Sequence, residues 1–231
     1  MIGVLVPAHD EEALIGDCLR AIRAATRCPA LRGEAVQVVV ALDGCSDGTA
    51  AICADMGVDV VELQARNVGR ARAAAADWLL ARGARWLAST DADSRVPAHW
   101  LSAQLATGAD AFCGTVRVGD WLDYGEQVRR AFLAGERHAD GHAHVHGANL
   151  GVSARAYAAV GGFPPLPAHE DHALVEGLAR AGYAIARRDQ PCVTTSARRD
   201  CRARHGFGDY LRRIELDIQG GMGAAPDAVA A

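Results

Sequence analysis

The chain contains no lysine, and all 24 of its basic residues are arginine. A P-loop that grips phosphate through lysine and a pyridoxal enzyme built on a lysine Schiff base are both excluded. The 7 cysteines form no C-x-x-C pair, so there is neither a zinc knuckle nor a disulfide framework, and a reducing cytoplasm is the expected compartment. No apolar run approaches the roughly 18 residues needed to span a bilayer. The opening Met1 to Pro7 has no basic stretch ahead of an apolar one, which predicts a chain neither secreted nor integral to a membrane. The net charge of −4 gives no global attraction to nucleic acid or to an anionic membrane, and no nucleic-acid partner is expected.

What is present is a chain of 231 residues, 50% hydrophobic and 23% charged, enough for one globular α/β domain with a substantial core. Residues 2–6 form an apolar, β-branched run closed by Pro7, and Glu12 to Ala25 then places Ala13, Leu14, Cys18, Leu19 and Ile22 at helical spacing. The alternation continues with strands expected at Val36–Leu42, Val58–Leu63 and Trp86–Ser89, separated by helices at Thr49–Met56 and Arg70–Arg82. Strands alternating with helices imply a mostly parallel central sheet of Rossmann-like type flanked by helices. Beyond Pro97 come a helix at His99–Thr107, a strand at Asp110–Val118, a partly helical stretch over 119–146, a strand at Gly147–Val152 and a helix at Ala154–Val160. A Gly/Pro loop follows, then a helix at Asp171–Gly182 and a strand at Tyr183–Ala186. The expected division is one domain over 1–220, in two halves of residues 1–97 and 98–220, and a flexible Gly/Ala-rich tail over 221–231.

Asp91 and Asp93 flank Ala92 just past a buried strand, so both carboxylates can reach one hard divalent cation. Taken alone, such a pair describes a solvated turn or helix cap equally well. Its context is more specific. Val6-Pro7-Ala8-His9-Asp10-Glu11-Glu12 resembles the V-P-x-Y-N-E-E opening of family 2 glycosyltransferases of the GT-A fold, and Leu42-Asp43-Gly44-Cys45-Ser46-Asp47-Gly48-Thr49 resembles their D-D-G-S-x-D-G-T turn. Arg66-Asn67-Val68-Gly69 is similar to their R-N-x-G, and Asp91-Ala92-Asp93 to their metal-binding D-x-D. Gly147-Ala148-Asn149, Gly161-Gly162-Phe163 and Glu170-Asp171 resemble the acceptor-side G-x-N, G-G-F and E-D elements. The departures are His9-Asp10 for Tyr-Asn, Leu42 for the first Asp of the turn, and Cys45 for Ser.

The resemblance implies a single GT-A domain that moves a sugar, of hexosyl type, from a nucleoside diphosphate sugar to a hydroxyl acceptor, with inversion. Asp91 and Asp93 would hold Mg²⁺ or Mn²⁺. Asp43 would meet the nucleobase, while Pro7, Ala8, Glu11 and Ala92 would line the nucleotide pocket and Arg70 or Arg72 would neutralise phosphate. The alternative for the two arginines is an ordinary solvated helix face. Gly147, Asn149 and Glu170 would face the acceptor, and Asp171 would take the proton of the attacking hydroxyl, unless it merely caps a helix beginning near His172. Two other readings stand beside this one: a nucleotidyltransferase of similar fold, and a noncatalytic nucleotide-sugar or metal-binding module. An NAD-binding Rossmann protein is disfavoured by acids where a glycine-rich turn would seat pyrophosphate.

Three further features carry less. His138, His142, His144 and His146 have spacings that could converge on a metal, although a polar strand face is the plainer account. Trp100 and Trp121 read as core residues in preference to sugar platforms. Residues 187–213 hold eight arginines against three aspartates, which suits donor diphosphate, an anionic acceptor, peripheral membrane contact or a solvated helix face. Oligomeric state is not legible.

Overall fold

The structure, a computed structural model, describes residues 1–135, 139–199 and 207–221. Strand β1 (Ile2–Ala8) runs parallel to β2 (Val36–Asp43), with Ile2 opposite Val36 and Ala8 opposite Leu42. Strand β3 (Asp59–Leu63) lies outside β2, and β4 (Trp86–Ser89) lies on the other side of β1, all parallel. Among the described residues the sheet has seven strands in the order β3-β2-β1-β4-β6-β5-β7, where β5 is Ala111–Val118, β6 is Leu150–Ser153 and β7 is Ile185–Thr195. Only β6 is antiparallel to its neighbours, so the strands from β1 through β4 share one C-terminal edge.

Period-2 alternation along β1 explains both layers. Ile2, Val4 and Val6 pack with Ile15, Leu19 and Ile22 of α1 (Ile15–Thr26) and with Trp100 and Leu101 of α4 (Trp100–Ala106). Leu5 points the other way, onto Ala71, Ala75 and Leu79 of α3 (Val68–Leu80) and onto the cluster that includes Leu174 and Leu178 of α7 (Glu170–Arg180). The alanine-rich face of α3 lets it sit close to the sheet. Helices α2 (Thr49–Asp55) and α6 (Ala154–Ala159) complete the two layers. A third cluster of Tyr124, Val128, Phe132, Leu211 and Ile214 joins α5 (Glu126–Gly135) to α8 (Phe207–Gln219). Trp121 packs edge-on to Phe132 there, with 5.3 Å between centroids.

Several expected boundaries are corrected. The chain over Gly147–Asn149 is a single 3-10 turn, and the strand begins only at Leu150. The last strand, expected to end at Ala186, continues through Arg187-Arg188-Asp189-Gln190-Pro191 to Thr195. Those polar residues and the proline are tolerated because β7 is an edge strand, whose outer side needs no ladder partner. Helix α7 starts at Glu170, with His169 as its N-cap residue at φ 62°, so Asp171 lies within the first turn instead of capping a helix from His172. Helix α8 had no counterpart in the sequence reading.

Candidate functional site

Three carboxylate arrangements meet the sheet edge at the ends of β1, β2 and β4, each answered by a different kind of partner. The first is made entirely with backbone. Asp43, at the end of β2, is 4% exposed. Its Oδ1 accepts from the N–H of Ala65 (2.6 Å) and Arg66 (2.8 Å), and its Oδ2 from that of Asn67 (2.7 Å). Arg66 sits at φ 46°, a conformation unfavourable to a non-glycine residue, and these bonds hold it there. The carboxylate expected to meet a nucleobase therefore has its oxygens turned into the loop that starts α3. Asp10 likewise accepts from the N–H of Ser46 (2.7 Å), and Glu12 from that of Gly48 (2.7 Å), which clasps the loop after β1 to the turn after β2. His9 Nδ1 completes the clasp by donating to the Asp43 carbonyl (2.7 Å).

The second arrangement centres on Arg72. Its guanidinium donates to Asp91 Oδ1 (2.5 Å), and its other terminal nitrogen is ion-paired with Glu170 on α7. Nε donates to Ser89 Oγ (3.2 Å). At 4% exposure Arg72 does not face a phosphate. It is a buried strut between the end of β4 and the start of α7, and Glu170, 2% exposed, belongs to that strut and not to an acceptor surface. Gly147 is part of the same packing, since a Cβ there would stand 2.3 Å from Arg72 Nη2. The N–H of Gly147 donates to Asp171 Oδ2 (2.6 Å), while Asp171 Oδ1 accepts from the N–H of His172 (2.8 Å). Asp171 remains part-exposed, with lone pairs left on both oxygens. Arg70, two residues before Arg72 and so on the opposite side of α3, is exposed.

The third arrangement is Asp93, Glu11 and Arg198. Glu11 follows β1 and is 5% exposed; Arg198 comes three residues after β7. The Arg198 guanidinium forks onto both oxygens of Glu11 and lies 3.3 Å from Asp93 Oδ2. Burial and the charge of Asp91 push the Asp93 carboxyl up to about 6, against the opposing pull of Arg198. Burial also disfavours the charge on Arg198, but its bonds to Glu11 and the charge of Asp93 outweigh that and hold its proton more firmly than usual. A cleft of about 210 Å³ opens on Asp93 between Asp17, Arg95, Asp120 and Thr194.

Other expected site residues are turned away. Asn149 is fully buried, accepts from Trp100 Nε1 (2.9 Å) and donates to the carbonyls of Thr115 (2.8 Å) and Pro191 (2.7 Å), so it pins the junction of β5, β6 and β7 and meets no acceptor. Ala92, 3% exposed, belongs to the core, as does Ala8 at 4%. Pro7 is half-buried. His142, His144 and His146 stack with 5.4 and 5.7 Å between successive centroids, although their backbone is not a strand. No group of three or more His, Cys, Asp or Glu side chains is gathered for a metal ion among the described residues. Of the Arg-rich segment, Arg187 donates to the carbonyls of Ala143 and His144, Arg188 pairs with Asp140, Arg199 with Asp123 and Glu215, and Arg212 with Asp209. Most of this positive charge is thus paired with acids or carbonyls among the described residues. His138, Arg202, Arg204, His205 and residues 222–231 lie outside the described residues. No described helix is long and apolar enough to cross a membrane.

The pairing of Glu11 with Arg198 carries no signal in the sequence. Motif context places Glu11 on the pocket wall and the arginine-rich stretch suits a diphosphate among other anions, but nothing in either stretch says that the two pair across 187 positions.

The matching family model is Glycosyl transferase family 2, over residues 3–145. The chain belongs to that family. Its sheet and flanking helices form a GT-A fold, like that of solved members. One is S. aureus TarS 1-349 in complex with UDP-GlcNAc, with a TM-score of 0.66, 15% identity, and coverage of 98% of this chain and 68% of that one. Against a longer TarS chain the coverage of that chain is 40%. Another is the mannosyltransferase PcManGT from Pyrobaculum calidifontis in complex with GDP-Man and Mn²⁺, with a TM-score of 0.64, 19% identity, and coverage of 98% and 66%. A third is glucosyl-3-phosphoglycerate synthase from Mycobacterium tuberculosis with Mn²⁺, UDP and glucosyl-3-phosphoglycerate, with a TM-score of 0.58, 19% identity, and coverage of 95% and 77%. No curated protein matches the chain.

Proposed function

We propose that this chain transfers a hexosyl group from a nucleoside diphosphate sugar to a hydroxyl acceptor, with inversion, using Mg²⁺ or Mn²⁺ bound at Asp91 and Asp93 and Asp171 as the base. The observation that carries this reading is the Arg72 strut: by joining Asp91 to Glu170 it fixes the two-aspartate loop and the helix turn bearing Asp171 relative to each other. Family membership and solved neighbours that hold UDP- or GDP-linked ligands support the donor class. They also favour transfer over nucleotidyl transfer.

The residues at Asp91 and Asp93 fit a hard divalent cation. They offer carboxylate oxygens, and burial together with the charge of Asp91 raises the proton affinity of Asp93 at a place where a guanidinium is already held. Two carboxylates leave room in the shell for water and diphosphate oxygens. When bound, the ion would supply positive charge to the departing diphosphate.

The chain's own residues do the rest. Asp171 receives the acceptor proton as that oxygen attacks the anomeric carbon, and the N–H groups of Gly147 and His172 hold its carboxylate in one orientation. A single displacement with the diphosphate leaving on the opposite side inverts the anomeric configuration. Arg70, exposed at the start of α3, is the remaining candidate for phosphate contact. On this reading residues 1–97 bind the donor and residues 98–220 bind the acceptor.

The test is a panel of nucleotide sugars incubated with the purified chain, with and without Mn²⁺, reading nucleoside diphosphate release. Metal-stimulated release from at least one donor is expected. Tight donor binding with no release from any donor, with hydroxyl acceptors present, would replace transfer with a noncatalytic binding role.

A further inference from the structure

Arg198 occupies an unusual position. Its guanidinium is shared between Glu11 and Asp93, two carboxylates contributed by the ends of different strands, and it comes from a segment that follows the last strand of the sheet. Asp93 also feels the charges of Asp91 and Glu11. Three carboxylates therefore share one field, and Arg198 is the cation that reaches Asp93 among the described contacts.

We propose that the Arg198 guanidinium and a divalent ion compete for Asp93, the ion reaching this carboxylate by displacing the arginine. The proposal rests on the metal reading of Asp91 and Asp93 and adds a competitor to it. The Coulomb part of the exchange favours the ion. A guanidinium brings one charge, spread over three nitrogens, to 3.3 Å from Asp93 Oδ2. A divalent ion brings two charges to about 2.1 Å, so its Coulomb attraction is roughly three times larger before its own dehydration is counted. Both Glu11 and Asp93 grip Arg198 through side chains, so the exchange calls for a change of arginine rotamer.

Competition makes a prediction that a purely structural ion pair does not. Mn²⁺ binding to the nucleotide-free protein is followed by the loss of the free-ion EPR signal. Arg198→Gln removes the competing charge and leaves Glu11, Asp91 and Asp93 in place, so it should bind Mn²⁺ about tenfold more tightly than wild type. Arg198→Lys should remain near wild type, and Asp93→Asn should abolish binding in either background. Equal or weaker Mn²⁺ affinity in folded Arg198→Gln, with binding still dependent on Asp93, overturns the competition while leaving the metal reading intact. Absence of Mn²⁺ binding in every variant, even with a nucleoside diphosphate added, overturns both. If Arg198→Gln does not fold, arginine-labelled wild type is titrated with Mg²⁺. The Arg198 Nε resonance, assigned through Arg198→Lys, should shift in step with ion binding, and a resonance that stays fixed while Mg²⁺ binds overturns the proposal.

Discussion

Asp43 and Asp93 stand at the ends of neighbouring parts of one sheet edge, and both are acidic positions in recognisable motifs, yet they are held in opposite ways. Asp43 is answered by three backbone N–H groups, which it can leave only if the Ala65–Asn67 loop comes apart. Asp93 is answered by Ser94 and Thr195 hydroxyls and by the side chain of Arg198, all of which can turn aside. The first arrangement is architecture and the second is exchangeable. The pattern recurs in the other half of the site, where Asn149 is locked by Thr115 and Pro191 carbonyls while Asp171 keeps part of its surface in solvent.

Substitution breaks this contrast in opposite directions. Asp93→Asn should keep the fold, since the hydroxyl contacts accept an amide, but lower metal-dependent transfer by about 10³-fold, because an ion held there would supply several kcal/mol of stabilisation to the leaving charge. Near-normal turnover with Mn²⁺ in this variant would remove Asp93 from the site. Asp43→Ala should do the reverse. It removes the acceptor of three backbone N–H groups, on half-buried Ala65 and Asn67 and on exposed Arg66, so urea unfolding should show a loss of about 1–3 kcal/mol, while transfer per folded molecule falls much less. If instead stability is kept and donor affinity collapses in calorimetry, Asp43 has a ligand-facing role that its bonds do not suggest.

Asp171→Asn sharpens the comparison further, because it removes the charge at nearly constant shape. The amide oxygen can accept from the Gly147 N–H or from the His172 N–H but not from both, so one of the two backbone bonds is given up. Single-turnover transfer should drop by about 10²-fold, with donor binding retained. Transfer close to wild type would assign Asp171 to helix architecture alone.

How far the sequence could be read follows the same division. The strand and helix alternation of residues 1–118 was legible because each element buries a periodic apolar face, and Trp86–Ser89 came out with its observed bounds. The positions of Asp43, Asp91, Asp93, Glu170 and Asp171 were legible from motif context. Their partners were not. A residue letter says that a carboxylate is present, but whether its oxygens meet backbone, arginine or ligand depends on what the fold brings beside it. Arg72 and Arg198 illustrate this, since one was expected on phosphate and is buried between Asp91 and Glu170, and the other meets acids far upstream. The extension of β7 was missed because charged residues and proline mimic a loop wherever a strand lies at a sheet edge.

The smallest expected effect lies in the stacked imidazoles and concerns pH. Burial, together with neighbouring His144, depresses His146 to about 3, and its Nε2 has no hydrogen-bond partner among the described residues. In the unfolded chain the same ring takes up a proton near 6.5. Between these values the unfolded state binds more protons, so this residue's contribution falls as pH drops from 7 towards 4. Asp93 acts with opposite sign: its folded value of about 6 lies above the ordinary 3.8, so the folded chain binds the extra proton there and gains stability as pH drops through that interval. The absolute pH slope of the wild type therefore mixes two opposed contributions. The difference between wild type and His146→Gln isolates one of them. A fully dry ring would contribute about 2 kcal/mol between pH 7 and pH 5, and since His146 keeps some contact with solvent, about 1 kcal/mol is expected. Paired urea titrations at the two pH values measure it: the stability of His146→Gln relative to wild type should improve by that amount on acidification, and parallel behaviour of the two proteins would show that the ring is as free to protonate in the folded chain as in the unfolded one.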